Sequence, residues 1–569
     1  MYHVQINRHE ELYSKAKQHY TSARIVRGKR GEIYDFEGNL LVGNIPCSDI
    51  CADPQLTGDK EECQKIARFF AGKVGVDAQT IYRRLMAKTR KITGEDGKEK
   101  IIPVRYAVIA RKVDFETTRE LKEAVKELKF KGIFFQENTK RYYPKNELLA
   151  NILGFTNIDS DKVIAVIGLE KFFNLRISPT KGKALFERSR DGTPLSYGTT
   201  RSDTEAKDGL NIYLTIREPI QAILEEELDK LVAKWKPKAA YAVLADPYTG
   251  DILAVAQRPS FNPNDRSSMD PKSWRNRITE DIFEPGSTMK PIAVLGALDY
   301  GAVTPKTIFD CEKGYWVYAK RPLRDSHPMD KLTVSEIIQK SSNIGTAKIA
   351  LQMGEKRLYR TLSKFGFGKK TGIPLKPETS GIFRKLNKWD SLSITRFPIG
   401  QGIAVSPLQL VRSYCALANG GRLVKLRLVD RMENPEAGII IKNPLEKPEK
   451  IVIHPKAHRQ MIEMMKLVTR EGGTALKASV KGYDVAGKTG TSQKVINGVY
   501  SHAKFFASFI GFVPADNPAF VLLVTADEPQ GAHYGGTVSA PTFSRISERT
   551  LKYLNVKPDR PEEILGTDK

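Results

Sequence analysis

A chain of 569 residues with a 40% hydrophobic fraction has room for about two to four domains and at least one large core, and no stretch of about 18 apolar residues offers a helix that spans a bilayer. The formal net charge of +25 points to anionic surroundings: nucleic acid, phospholipid headgroups or an acidic polymer. No aromatic-rich basic motif of a nucleic-acid module accompanies that charge, so the reading turns away from nucleic acid toward a membrane or wall polymer.

Residues 1 to about 25 are polar. Arg30-Gly31-Glu32-Ile33-Tyr34-Asp35 then predicts a strand, Glu37 to Asn39 a turn, and Leu40-Leu41 a second strand. Helices are expected over 61–71 and 78–88, and a hairpin over 92–104 around Glu95-Asp96-Gly97-Lys98. Asp114 or Thr117 can cap a helix over 118–128, whose apolar stripe is Leu121, Val125 and Leu128. A strand at 133–136, a short helix at 148–155 and a helical segment from Gly168 follow, and the polar run 197–208 reads as a linker.

Beyond it the texture changes to long apolar elements with short turns. A strand is expected at 212–216, a helix at 219–234, and a hairpin from 239–246 and 251–256 across Tyr248-Thr249-Gly250. Helices are expected near 292–298, 334–352, 408–418 and 456–470. A meander over 484–496, 503–512 and 520–526 turns at Asn497-Gly498, and a helix at 541–554 closes the chain. The change of texture divides the chain into an N-terminal module, 1–209, and a second α+β domain, 210–569.

Five cysteines, Cys47, Cys51, Cys63, Cys311 and Cys415, are too scattered for a zinc cluster or a dense disulfide framework; a Cys47 pairing with Cys51 or Cys63 is open, with free buried thiols favoured. The histidines form no His-x-x-x-His pair with a third partner, and no Gly-x-Ser-x-Gly elbow occurs, so neither a metal site nor a Ser-His-Asp triad is expected. No cofactor is implied.

Chemistry gathers instead at Glu284-Pro285-Gly286-Ser287-Thr288-Met289-Lys290-Pro291, ahead of a helix apolar on every side. Pro291 is tolerable only in a first turn, and there an i to i+3 spacing puts Ser287 and Lys290 on one face. A desolvated lysine can act as base for a serine hydroxyl that is a weak nucleophile alone. Ser-x-x-Lys also occurs at Ser14, Ser178 and Ser501, none followed by a comparable buried helix. The plainer readings are a helix N-cap for Ser287, turn residues for Ser341 and Asn343, and a solvated strand charge for Lys488.

Gly482 to Thr489 fits the Gly-x4-Gly-Lys-Ser/Thr phosphate-loop pattern letter for letter. That loop needs a helix directly after its lysine, whose free N–H groups hold the phosphates, whereas here Gly490, Thr491 and an Asn-Gly hairpin follow. Lys488-Thr489-Gly490-Thr491 is better read as a strand segment whose lysine and hydroxyls hold a carboxylate, with Gly490 leaving room for a substrate alongside. Lys370-Thr371-Gly372 repeats three of those letters in a glycine-rich turn and shapes a loop.

Ser287-x-x-Lys290, Ser341-x-Asn343 and Lys488-Thr489-Gly490, separated by 54 and 147 residues from serine to serine to lysine, resemble together the active site of penicillin-binding proteins and serine β-lactamases. Gly400-Gln401-Gly402, Pro407-Leu408-Gln409 and Tyr534-Gly535-Gly536 resemble further family signatures, and Arg30 to Asp35 with Gly168-Leu169-Glu170 resemble the non-catalytic module of the class B members. Glu284 to Ser287 and Gly482 to Thr491 look most like the septal, FtsI-type branch. Arg217, where the family commonly has an acid, and Phe36-Glu37-Gly38, in place of Arg-Asn-Gly, depart from the pattern.

The resemblance implies a pedestal module, 1–209, before a transpeptidase domain, 210–569, built on a five-stranded antiparallel sheet flanked by helices. It implies a serine D,D-transpeptidase acting on peptidoglycan stem peptides that end in D-Ala-D-Ala, with an acyl-enzyme on Ser287 and covalent inhibition by β-lactams. Lys290 would be base, Ser341 a proton relay, Asn343 a hold on the donor amide, and Lys488, Thr489 and Thr491 the carboxylate site beside Gly490. An N-terminal membrane anchor absent from this chain, a periplasmic catalytic domain, and contacts with a membrane glycan polymerase and division proteins are implied as well. The alternatives are an elongation-type class B enzyme, or an inactive envelope scaffold or β-lactam sensor on the same fold.

Overall fold

Residues 21–93, 97–159, 162–187, 201–265, 267, 269–452 and 454–565 are described by the structure, a computed structural model. The chain forms two compact units that interleave in sequence. One is drawn from Met1–Glu32, Val42–Pro144 and Ser178–Gly209, the other from Ile33–Leu41, Lys145–Ile177 and Leu210–Lys569. Segments 33–41 and 145–177, which a single cut at 209/210 assigns to the N-terminal module, therefore pack with the C-terminal body.

In the first unit, strand Leu40–Ala52 is flanked antiparallel by Ala107–Asp114 and Ile133–Tyr142. Helices Lys60–Val74, Ala78–Met86 and Phe115–Glu127 contribute Phe70, Leu85 and Leu121 to one apolar cluster with Ile50 and Ile109. Each helix starts on an aspartate whose carboxylate accepts from the third backbone N–H beyond it: Glu62 on Asp59, Thr80 on Asp77, Thr117 on Asp114. Asp114, not Thr117, is thus the cap of the third helix. The hairpin at 92–104 is present as strands Thr89–Thr93 and Glu99–Pro103, while 94–96 lie outside the described residues.

The polar run 197–208 contains a strand, Arg201–Thr204, paired with Lys181–Glu187; 197–200 lie outside the described residues. As an edge strand it has no apolar alternation, so its periodicity could not announce it. All five cysteines are free and buried.

The second unit is built around the sheet. Helix α1 (Glu218–Trp235) leads into strands β1 (Ala239–Ala245) and β2 (Ile252–Arg258). Then come helices α2 (Lys290–Asp299), α3 (Val334–Lys340), α4 (Asn343–Met353) and α5 (Pro407–Ala418). Strands β3 (Ala486–Ile496), β4 (Val499–Val513) and β5 (Phe520–Asp527) and helix α6 (Ala540–Tyr553) complete it.

The sheet order is β2-β1-β5-β4-β3, antiparallel throughout, with β3 on the edge. Strands β1 and β5 are buried at every residue, which explains their unbroken apolar sequence: helices cover both faces. Helices α1 and α6 are tied by Glu227, 2% exposed, which accepts from Lys230, Arg545 and Arg549 at 2.8, 2.6 and 2.8 Å. The Asn497-Gly498 turn joins β3 to β4 as expected, with both residues at positive φ.

The strand expected at 212–216 forms as Asn211–Leu214 outside this sheet, parallel to Ile33–Tyr34 and antiparallel to Val429–Asn434. There the buried Asp35 carboxylate accepts from Glu37 N, Asn39 N and Asn39 Nδ2, and from Glu218 N at the start of α1 at 3.1 Å. The two departures from the family pattern meet at this point. The Arg217 guanidinium lies over the Phe36 ring at 4.8 Å and pairs with Glu37 at 3.3 Å, so a cation at 217 is answered by an acid at 37. Both partners are partly exposed, so the pair is a weak one. A double-mutant cycle of Arg217→Ala and Glu37→Ala, read by chemical denaturation, should give a coupling of about 0.5–1 kcal/mol, and additive losses would dissolve the compensation.

Candidate active site

Pro285 and Gly286 open a 3-10 turn, Gly286–Met289, that passes directly into α2. The three-residue period of that turn stacks Ser287 and Lys290 on one side. Its backbone is pinned from several directions: Gly286 N donates to Gly400 O at 3.2 Å, Thr288 Oγ1 to Pro285 O at 2.7 Å, and the buried Tyr414 hydroxyl of α5 to Thr288 O at 2.9 Å. Gly400 sits at φ 75, and a Cβ there would lie 2.2 Å from the Gly286 carbonyl oxygen. Gly400 of the Gly400-Gln401-Gly402 signature thus lets two backbones touch. Ser287 is half-buried and caps nothing, and its Oγ has no hydrogen-bond partner among the described residues.

Lys290 is completely buried at the head of a helix buried on every side, as its sequence predicts. Its Nζ donates to Ser341 O at 2.5 Å and to Ser341 Oγ at 3.1 Å. Burial without a carboxylate in contact pulls its pKa down to about 7, opposed in part by the charge of Asp325.

The single helix expected at 334–352 is two, because Ser341 takes the left-handed conformation, φ 62 and ψ 41, between α3 and α4. That break turns the Ser341 carbonyl and hydroxyl to Lys290. Asp325, which sequence reasoning did not single out, secures it. Its carboxylate accepts from Ser342 Oγ at 2.7 Å, from Ile344 N at 3.2 Å and, at very short range, from Asn343 N. Ser342 Oγ in turn accepts from Gly345 N at 2.9 Å, so the first three N–H groups of α4 are all satisfied. The Asn343 carboxamide donates to Arg324 O at 2.8 Å. A carboxylate 18 positions before its target leaves no local pattern to read.

Edge strand β3 brings the third segment. Lys488 is fully buried, with Nζ 3.2 Å from Thr489 Oγ1, so it is no solvated strand charge. Burial, reinforced by the like charge of Lys290, pushes its pKa well down. Thr489 Oγ1 also meets Thr474 Oγ1 at 3.1 Å, and Thr491 Oγ1 accepts from Gly535 N of the Tyr534-Gly535-Gly536 segment at 3.2 Å. A Cβ on Gly490 would meet Ser508 Oγ at 2.3 Å, Thr288 Cγ2 at 3.0 Å and Pro285 O at 3.1 Å. The missing side chain therefore lets β3 lie against the Ser287 turn; the space it leaves belongs to the protein, not to a substrate alongside.

Glu284, which the sequence marks only as the start of the serine motif, has a role of its own. Its Oε1 accepts from Gly402 N at 2.7 Å and from Tyr500 Oη at 3.1 Å, tying the serine turn to the glycine segment and to the β3–β4 hairpin, and burial raises its pKa.

The look-alike motifs lack this environment. Lys181 and Lys504, the partners of Ser178 and Ser501, are exposed, and Ser14 lies outside the described residues. Thr371 of Lys370-Thr371-Gly372 is bound through N and Oγ1 to Glu378, both at 2.6 Å, closing a loop. The phosphate-loop pattern runs into β3, and no helix follows its lysine.

Comparison with known proteins supplies the family. The family description "Penicillin binding protein transpeptidase domain" matches residues 240–548, and "Penicillin-binding Protein dimerisation domain" matches residues 25–214. The chain belongs to the penicillin-binding protein transpeptidases. The peptidoglycan D,D-transpeptidase FtsI of Escherichia coli K12 is 34% identical over 538 residues, covering 94% of this chain and 85% of that protein. Stage V sporulation protein D of Bacillus subtilis is 32% identical over 562 residues, 98% of this chain and 83% of that one. Penicillin Binding Protein 2X from Streptococcus thermophilus superposes with a TM-score of 0.75 at 25% identity, over 93% and 80% of the two chains.

In this penicillin-binding protein the Gly286–Gly400 contact is a close backbone constraint on the serine turn. Gly400→Ala should cost about 2 kcal/mol or more of stability, measured by denaturant titration, because the new Cβ meets a carbonyl oxygen and the residue is held at positive φ. A loss below about 0.5 kcal/mol would contradict the constraint.

Proposed function

We propose that this penicillin-binding protein is a serine D,D-transpeptidase that cross-links peptidoglycan stem peptides during septal wall synthesis, with Ser287 as nucleophile and Lys290 as its base. The observation that carries the reading is Lys290: a wholly buried amine with a pKa near 7, one turn from a half-buried serine hydroxyl that no other group engages. An amine poised there can take a proton at neutral pH. In a free enzyme the bond from nucleophile to base is often long and closes only on substrate.

Ser287 Oγ attacks the carbonyl carbon of the penultimate D-alanine while its proton passes to Lys290 Nζ. The N–H groups of Ser287 and Thr491 hold the oxyanion of the tetrahedral intermediate. Collapse breaks the peptide bond; the leaving amine receives a proton through Ser341, which Lys290 already contacts, and D-alanine departs from a Ser287 ester. An amine of a neighbouring strand then attacks that ester, restoring the Ser287 hydroxyl and forming the cross-link. Asn343 holds the donor amide, and β3, as an edge strand, offers its outer backbone row to a peptide laid along it.

Lys488, Thr489 and Thr491 bind the terminal carboxylate. The charge of that carboxylate favours a protonated Lys488, which takes its proton from solvent, and a charge on Lys488 disfavours a second one on Lys290, since like charges in one buried site oppose each other. Substrate thereby prepares the base. A β-lactam, which imitates the D-Ala-D-Ala terminus, acylates Ser287 and stays.

The site of action follows from the substrate: the catalytic unit works on the wall side of the membrane. The N-terminal stretch of sequence, matched over 25–214 by the dimerisation family, is the proposed contact for a membrane glycan polymerase and division proteins. Among the described residues no helix is long and apolar enough to cross a membrane.

Two measurements test the reading. Mass spectrometry of a penicillin adduct should place the label on the peptide containing Ser287, with none after Ser287→Ala, and cross-linking of a stem-peptide substrate should be lost in the same variant; label elsewhere, or label surviving the substitution, rejects it. The acylation rate should rise with pH to a plateau with its midpoint about 7, because only neutral Lys290 accepts the proton. A rate flat across that range, or falling, would remove Lys290 as base.

A further inference from the structure

Asp325 occupies a place that helix capping alone does not require. Ser342 is already an N-cap in extended conformation, its hydroxyl on Gly345 N, which is the usual device for starting a helix. A second acceptor is added here, a full negative charge taking the Asn343 and Ile344 N–H groups and the Ser342 hydroxyl proton together. It arrives from the strand Arg321–Arg324, whose last carbonyl also holds the Asn343 carboxamide. One short segment therefore fixes both the backbone and the side chain of Asn343, and through Ser342 the residue next to Ser341.

Given the acyl-transfer reading above, we propose that Asp325 is a positioning residue for that reaction: its carboxylate locks the Ser341-Ser342-Asn343 turn onto Lys290 and stands as the counter-charge of the catalytic lysine. Two demands meet at this group. The turn must hold Ser341, a non-glycine residue in the left-handed conformation, with its carbonyl and hydroxyl on Lys290, and a charge-assisted set of three bonds supplies that hold. The buried amine must also keep enough proton affinity to act as a base. Among the described residues the charge that acts on Lys290 is Asp325, which favours its proton; Lys488, the other buried amine of the site, is itself pushed down by burial and by the charge of Lys290. Without Asp325 the amine would be too weak a base to strip Ser287 efficiently, although free at lower pH.

The test uses the whole chain and the rate constant for acylation by a fluorescent penicillin, followed from about pH 5.5 to about 9.5. Asp325→Asn keeps the shape and removes the charge. Its plateau should fall about tenfold or more, and its midpoint should move to lower pH by at least about half a pH unit, since loss of a nearby negative charge makes an ammonium release its proton earlier. Ser342→Ala keeps the charge and removes one of its bonds, so its plateau should fall while its midpoint stays with the parent. Asp325→Ser, neutral but still an acceptor, replaces the asparagine variant if that does not fold, with the same expected shift. A capping role alone lowers the melting temperature and the plateau with the midpoint unmoved in the neutral variant; that result, or a neutral variant within about twofold of the parent at every pH, overturns the proposal. A parent that takes no label on Ser287 defeats the acyl-transfer reading itself and is told apart by the Ser287→Ala control.

Discussion

The site depends on the burial of two amines that have no carboxylate in contact. Ammonium groups taken out of water cost several kcal/mol each unless they are paired, and the cheaper outcome is to give up a proton. Lys290 is lodged between α2 and the Ser341 turn, with only a carbonyl and a hydroxyl as partners; Lys488 is buried beneath β3 against a threonine hydroxyl. Burial depresses both, and the charge of Lys290 depresses Lys488 further. A side chain that is ordinarily an inert cation gives up its proton near neutrality only in a place that refuses it water, and the surrounding structure maintains that refusal.

Such a place must be over-determined, because every group in it would be lower in energy elsewhere. The serine turn is gripped by the Gly400 backbone, by Tyr414 and by the closeness of β3 that Gly490 permits. The lysine's partner is offered by a serine in a backbone conformation that non-glycine residues seldom adopt, held by the α3 cap at one end and the Asp325 carboxylate at the other. Glu284 joins the serine turn to the glycine segment and the hairpin. These contacts reach across more than a hundred positions of sequence in several cases, so the geometry is a property of the assembled domain.

The same holds for the parts of the chain that depart from the family pattern. Arg217 and Phe36-Glu37 look like two separate irregularities along the sequence, yet in space they are one contact. The interleaved units are a related case: 33–41 and 145–177 lie within the N-terminal stretch of sequence and pack in the other body, held by Asp35 at the start of α1 and by the backbone of Leu149 on the buried Glu225.

The sequence by itself determined the main elements of the second domain and pointed to a set of candidate residues. A helix apolar all round could only be buried, an Asn-Gly pair between alternating runs could only be a hairpin, and the fully apolar runs of β1 and β5 demanded cover on both faces, because these are local signals carried by side-chain type and spacing. The ordered motifs named Ser287, Lys290, Ser341, Asn343 and the Lys488 strand. What only the tertiary structure decided is whatever depends on which distant groups share a buried space: that Lys290 rests on Ser341, that the helix near 341 breaks, that Gly490 makes room for protein, and that Asp325 and Glu284 belong to the site. Burial and proximity set the charge of an amine, and neither is a property of the residues taken in a line.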